Sequence, residues 1–476
     1  MKKYMFQTIL ILMCLYGPAQ GSPTQADLTD TATGRYLAEA NLNPEKLDST
    51  QAPVTLLTLA RAKQTALENS PTLAAARERV AQAVEAIAQA QADYMPTIGL
   101  NSSWDYSEET EASLGTSQDK YTNAISATQV LFQGFYRKYN TLSAKYGEKM
   151  NLAAHEDAQR TLIWSVSQSY LNAQQALENI RIAQSDMSFN LEQEKEAEAK
   201  ERMGTGSYSD VLNFKTKVNS AKSEVIQAQQ DFQEACYGLA ALMGYEDSRL
   251  PEGMAIQALN DLGETDNKTG LQAFNLQADI LTVLEKRPDL KEDRLAVQDA
   301  QARIERGKSG YFPTISLTGA YGASGVDDFD YINDDDYMGA SVGVEVSFEL
   351  FSGGSTRSAI RSVAAEKRAL EKELDDARIT ATKEIRSAFD NVTSSGQKLE
   401  LQQENTQLIK ITRDLVKKEY DVGQASLVRL NEAQNDLVSA QGQLADAQVS
   451  LLLALEELDY YTGRNIHQFQ TESVNP

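Results

Sequence analysis

Side chains able to do covalent or metal chemistry are sparse in these 476 residues. Two histidines (His155 and His467) and two cysteines (Cys14 and Cys236) are too few and too scattered for a transition-metal site. No nucleophile pairs with a base, and no phosphate loop occurs, so neither catalysis nor a cofactor is expected. Carboxylates are plentiful: 68 acids against 45 bases leave a net charge of −23, which argues against nucleic acid as a partner. The densest run, GVDDFDYINDDDY from Gly325, lacks calcium-loop spacing and reads as a solvated loop, as does SEETEASLG from Ser107. Glu345 and Glu349 are more informative, because they alternate with Val342, Val344, Val346, Phe348 and Leu350. A period of two puts one apolar face against one acidic face. The valines and Phe348 then suit lipid, and the two glutamates suit a water-filled lumen.

The chain that positions this strand is written twice. ENSPTLAAARERV from Glu68 returns as EKRPDLKEDRLAV from Glu285, an offset of 217 that pairs Pro71 with Pro288 and Pro96 with Pro313. Further on, LFQG from Leu131 returns as LFSG from Leu350 at an offset of 219, which also pairs Gly204 with Gly423 and Gly244 with Gly463. Fixed offsets through proline and glycine landmarks mark a duplication rather than a chance likeness of helices.

Each copy follows one grammar. A helix (72–93, 289–310) runs into Tyr-x-Pro-Thr-Ile, where proline stops it. Strands are predicted at about 97–107 and 121–132 in the first copy, and at 314–323 and 338–350 in the second. Phe-x-Gly ends the second strand of each pair. A proline-free helical stretch of 68 residues follows, Tyr136–Met203 or Ser355–Val422, roughly 100 Å long at 1.5 Å per residue. Gly204 or Gly423 then turns the chain into a shorter helix (208–243, 426–462), and each glycine also fits a plain left-handed helix cap. Two shorter helices stacked end to end match one long helix. Helices this long, rich in Ala, Ser and Gln, need lateral neighbours, as in a coiled-coil-like barrel.

The ends and the joint read differently. Lys2, Lys3, an apolar run from Met5 to Tyr16 and Ala19-Gln20-Gly21 have the form of a cleaved signal peptide over 1–21. Met13 before Cys14 disfavours a lipid anchor there. Residues 22–54 read as a strap, 55–244 as repeat one, 245–276 as a linker, 277–464 as repeat two and 465–476 as a tail. Four strands of membrane-crossing length cannot close by themselves, and an open edge in lipid leaves backbone groups unsatisfied. Copies must therefore associate, eight strands from two or twelve from three.

The duplicated proline-strand-loop-strand-Phe-x-Gly pattern, the long helices and the Tyr-x-x-Gly turns resemble TolC-type outer membrane efflux proteins over about residues 55–464. LFSGGSTRSAIRSVAAEKRAL from Leu350 and YDVGQASLVRLNEAQ from Tyr420 are the most specific stretches. The resemblance implies a mainly α chain in a homotrimer. Its four strands enter a shared twelve-stranded barrel in the outer membrane lipid, continuous with a periplasmic α-barrel. It implies docking on a periplasmic adaptor (membrane fusion) protein and an inner-membrane pump, with Met203, Gly204, Thr205, Val422, Gly423 and Gln424 facing the adaptor. Two pore acids of the family fall on Arg429 and Glu432, so one acid is retained, and a basic latch position is Ala425. Tyr420 and Asp210 match the remaining latch positions. The resulting expectation is a closed periplasmic gate held by Asp210, Tyr420 and Arg429, with an Arg429–Glu432 pair one helical turn apart and weakened cation preference. The competing readings are a passive porin, which needs no such helices, and a soluble periplasmic scaffold, which needs no such strands. Drug efflux ranks slightly ahead of polypeptide secretion as the task.

Overall fold

The computed structural model describes residues 55–109, 116–259, 276–326 and 338–466. The expected signal peptide, the strap, parts of the linker and tail, and most of both acidic loops lie outside these residues. The first repeat runs β1 (Thr55–Leu57), α1 (Leu59–Asn69), α2 (Pro71–Ala92), β2 (Thr97–Glu109), β3 (Thr116–Gln133), α3 (Tyr136–Arg202) and α4 (Tyr208–Leu242). The linker carries β4 (Met254–Ile256). The second repeat runs α5 (Leu276–Lys286), α6 (Pro288–Gly307), a 3₁₀ turn at Lys308–Tyr311, β5 (Thr314–Val326), β6 (Met338–Ser347), α7 (Ser355–Asp421) and α8 (Leu427–Thr462).

Local chemistry explains the breaks. Pro71 and Pro288 open their helices at the first position, where a missing N–H costs nothing. Ser207 and Ser426 cap α4 and α8, their side chains accepting from the N–H groups of Ser209 and Arg429. Gly204, Gly423 and Gly463 take φ of +74°, +78° and +69°, which lets the backbone reverse after a helix.

The four long strands form one antiparallel sheet in the order β2-β3-β5-β6. Its register joins Leu100 to Ile125, Ile125 to Tyr321, and Tyr321 to Ala340 across one face. One residue along, Gly99, Ser126, Ala320 and Ser341 line up across the other. The first face also carries Ile98, Trp104, Tyr106, Val342, Val344 and Val346, all exposed. The second carries hydroxyls, glycine and alanine together with Asn101 and an Asp105 opposite Lys120, and Glu345 lies opposite Ser316. A bulge at Val130–Phe132 inserts an extra residue where the sheet meets the helices.

Two strand ends depart from the sequence pattern. β6 stops at Ser347, so Phe348, Glu349 and Leu350 lie beyond the ladder instead of inside it. Its last partner is Thr314, and the next residue back, Pro313, has no N–H to donate. The β2–β3 hairpin instead extends to Glu109 paired with Thr116. Backbone pairing there continues through polar residues, past the stretch where alternation can be seen.

Helices α2 and α4 both pack along α3, and α6 and α8 along α7, with α3 also touching α6 and α8. At 67 residues, α3 and α7 are each about 100 Å long. No described helix is long and apolar enough to cross a membrane. Leu259, from the linker, packs with Leu171 and Val449, so the linker lies against α3 and α8.

The repeats are fastened midway by buried ions. Arg160 of α3 is 2% exposed and pairs with Asp157 at 2.6 Å and with Asp289 of α6 at 3.4 Å. Its guanidinium also lies 4.5 Å from the Tyr460 ring centroid. Arg287 joins Asp289 at 2.6 Å and Glu384 at 3.2 Å. Burial alone would raise the Asp289 pKa, but the Arg287 hydrogen bond and the charges of Arg160 and Arg287 hold it below its usual value. A depressed carboxyl stabilises the fold above its unfolded pKa and loses that contribution as pH falls through the folded one. Arg160→Met should cost about 2 kcal/mol at neutral pH, less than a fully buried pair because both aspartates keep partial solvent access. The difference in thermal midpoint between the variant and the parent should shrink below about pH 4, where free aspartate protonates.

Candidate functional site

The two helical hairpins end in turns of the same construction. Thr205 N–H donates to the Lys200 carbonyl at 2.9 Å, and Gln424 N–H donates to the Glu419 carbonyl at 2.8 Å. Each is the six-to-one bond of a Schellman cap closed by a left-handed glycine. Behind the turns Phe214 and Leu430 are fully buried, with Val211, Val416, Phe189 and Ala433 packed around them and Tyr420, Ala425 and Leu427 at the margin. Met203 and Val422 project outward from the two tips, each 70% exposed.

Repeat equivalence explains the charges here. Lys200 and Asp210 in the first hairpin correspond to Glu419 and Arg429 in the second, so the signs are exchanged. Arg429 stays within its own hairpin and pairs with Glu419 at 3.0 Å, both side chains largely in solvent. It makes no ion pair with Glu432, which is exposed, nor with Asp210. Lys200 instead crosses to the second repeat. Its ammonium lies 4.8 Å from the Tyr420 ring centroid and 4.0 Å from the Asp421 carboxylate. Tyr420 is raised above the ordinary tyrosine pKa by burial first and then by Asp210, Asp421 and Glu196, so its phenol remains a neutral donor. Asp210 thus lies within electrostatic reach of Tyr420, while Arg429 stands apart from both. Lys417 reaches back the same way, to Glu192 at 3.3 Å and Glu196 at 4.0 Å.

The charged residues that join the repeats at the tip are therefore Lys200, Lys417 and their acids, beside an Asn431–Asn213 hydrogen bond of 3.2 Å. The sequence did carry a signal for Lys200: its repeat mate has the opposite charge, as Asp210 and Arg429 do.

The strand face bearing Glu345 and the helical tips belong to one chain with two equivalent halves. A sequence model of the outer membrane efflux protein family matches residues 62–245 and 280–464, once in each repeat. The chain belongs to the outer membrane efflux protein family. Members are non-enzymatic channels of the outer membrane, and this one is an efflux or secretion duct of that membrane. It is 22% identical to Outer membrane protein TolC of Escherichia coli over 403 residues, covering 82% of this chain and 79% of that one. It is 25% identical to the Alkaline protease secretion protein AprF of Pseudomonas aeruginosa over 349 residues, covering 72% of this chain and 70% of that one. The fold matches the CmeC outer membrane channel of Campylobacter jejuni with a TM-score of 0.74 at 17% identity, over 96% of this chain and 98% of that one.

Hydrogen exchange separates the two tip cations. Lys200→Ala should speed amide exchange several-fold at both ends it joins, residues 196–203 and 416–423. Arg429→Ala should do so only around the α7–α8 turn. Protection unchanged at 416–423 in Lys200→Ala would show that the crossing contact holds nothing.

Proposed function

We propose that this chain is one third of a trimeric exit duct, exported with a cleaved signal peptide, which carries small molecules or polypeptides outward from an adaptor and a pump. The carrying observation is the sheet: four strands, one exposed apolar face, and edges β2 and β6 without partners among the described residues. Backbone edges in lipid must be paired, and three copies give twelve strands whose hydroxyl face lines the bore. Val342, Val344 and Val346 then meet lipid, Phe348 continues that surface just past the strand, and Glu345 faces water with Glu349 below it.

The duplication supports a seam between chains like the seam within one. Inside the chain Phe132 meets Phe312 edge-on at 6.4 Å, and Ser143 donates to Asp299. The repeat mates of these residues are Phe351, Met95, Ser362 and Gln82. All four are exposed, Phe351 at 86% and Met95 at 69%. Along α7, Leu401, Leu408, Ile411 and Leu415 form a further uncovered stripe at heptad spacing. A neighbouring copy of α2 and α4 would cover it.

We assign the tips two tasks. Met203, Gly204, Thr205, Val422, Gly423 and Gln424 present the adaptor-facing surface, and Lys200, Asp210, Tyr420, Asp421, Arg429 and Glu432 surround the periplasmic gate. With an arginine at one of the two pore positions, cation preference is weaker than a double acid ring would give. Names among the relatives include a protease secretion protein and a cation efflux protein, so the cargo class is set outside this lumen.

A double variant, Gln82→Cys with Ser362→Cys, should form covalently closed trimers on mild oxidation in membranes. The native Cys236 is buried, and burial pushes its thiol up to about 11, so it gives no background. Monomers alone would refute the seam. In planar bilayers the Lys200→Ala channel should conduct several-fold more than the parent, whereas Arg429→Ala should mainly raise cation preference. Equal conductance of Lys200→Ala and the parent would remove the gate assignment.

A further inference from the structure

About 15 Å short of the Gly423 turn, at 1.5 Å per residue, a second group of side chains joins the repeats. Phe189 of α3 is 8% exposed and lies beneath two cations of α7. The Arg413 guanidinium is 5.1 Å from its ring centroid and the Lys417 ammonium 5.7 Å. Arg413 also donates to Gln434 of α8 at 3.1 Å. Gln434, itself buried, donates to Asp186 of α3 at 2.7 Å, and the other Asp186 oxygen accepts from Asn190 at 2.9 Å. The contacts therefore run in a closed circuit from α3 to α7, from α7 to α8, and back to α3.

This circuit is absent from the other half of the duplication. The repeat mates of Asp186 and Phe189 are Asn405 and Leu408, and those of Arg413 and Gln434 are Glu194 and Lys215. That set has no aromatic ring and no matching cation, and Asn405, Leu408 and Lys215 are exposed. The sequence has thus diverged toward a desolvated cation–ring contact at the seam inside the chain alone. Such contacts hold better when buried, and bonds to a charged partner are the stronger kind. The pairs nearer the tip are different. Lys200–Asp421 and Arg429–Glu419 are exposed, so water readily replaces them.

We infer that Phe189, Arg413, Gln434 and Asp186 are positioning residues that form the pivot of the tip. They keep α7 and α8 seated on α3 while the stretch from Glu419 to Arg429 moves. This rests on the reading of the tip as a gate. Opening is then confined to the last few turns of the α7–α8 hairpin, and the remaining tube keeps its bore.

The test uses the full-length Lys200→Ala channel in planar bilayers, whose conductance the gate reading expects to be raised. Asp186→Cys and Gln434→Cys are added and bridged with a short bifunctional thiol reagent. The expected result is a conductance that stays raised, because a pivot does not move. Return to the parent's conductance would overturn the pivot while leaving the gate intact. A Lys200→Ala channel that conducts like the parent removes the gate, and the pivot falls with it. In the parent background, Phe189→Leu should raise conductance at least twofold and Phe189→Trp, which keeps a ring under the cations, should not. A Phe189→Leu channel identical to the parent would also overturn the pivot, provided assembly on gels is unchanged.

Discussion

An open sheet with one apolar face has no stable place in a single chain. Its apolar face needs lipid, and in lipid each edge N–H and C=O needs a partner, since no water is present to supply one. Among the described residues β2 and β6 end the sheet with such edges. The rest of the architecture can be read as the answer. On the trimeric reading proposed above, the edges meet further copies, and copies arranged round an axis call for helices whose flanks pack sideways. This explains why the helical part has so little core of its own. Many of its buried positions are alanines spread along α3, α4, α7 and α8. Small residues let long helices approach closely along their whole length, which suits a wall better than a globule.

The duplication divides the labour between two kinds of seam. Inside the chain, Lys63 and Arg160 of the first repeat sit buried against Glu456 and Asp289 of the second, and Arg287 joins Asp289 to Glu384. The repeat mates of Arg160 and Lys63, Ile379 and Ile280, are apolar. A buried ion pair adds little net stability over a well-packed apolar contact, but it penalises wrong pairing strongly. Because only one repeat carries each of these charges, neither repeat can substitute for its twin at the internal seam.

Most of the fold was legible because its signals are periodic. Val342 to Val346 could only be a two-faced strand, and two proline-free stretches that each run from Phe-x-Gly to a later glycine, Gly204 or Gly423, could only be long helices. What the sequence concealed was relational. The stop at Ser347 depends on Pro313 opposite it, a residue of another strand's approach. The partner of Arg429 depends on side chains folding back across a turn, and spacing alone favoured Glu432 over Glu419. Lys200 and Arg413 sit among many exposed lysines and arginines of the long helices, and only the fold distinguishes those that reach a ring in the other repeat. At the repeat offset Lys200 faces Glu419, and that reversal of charge is visible in the sequence itself.

The small two-stranded clip has a consequence for the tube as a machine part. Thr55–Leu57 pairs in parallel with Met254–Ile256, and the Leu57 carbonyl accepts from the Tyr170 hydroxyl at 2.8 Å. Gln174, one turn further along α3, donates to the Gln257 carbonyl at 2.7 Å. Burial pushes the Tyr170 phenol up to about 12, so it keeps its proton and its bond. Long helices packed through alanines can slide past one another by a turn at small cost, because one small residue looks much like the next. The clip works as a keyway: it fixes α3 lengthwise to the start of the first repeat and to the linker, so axial slip would have to break it.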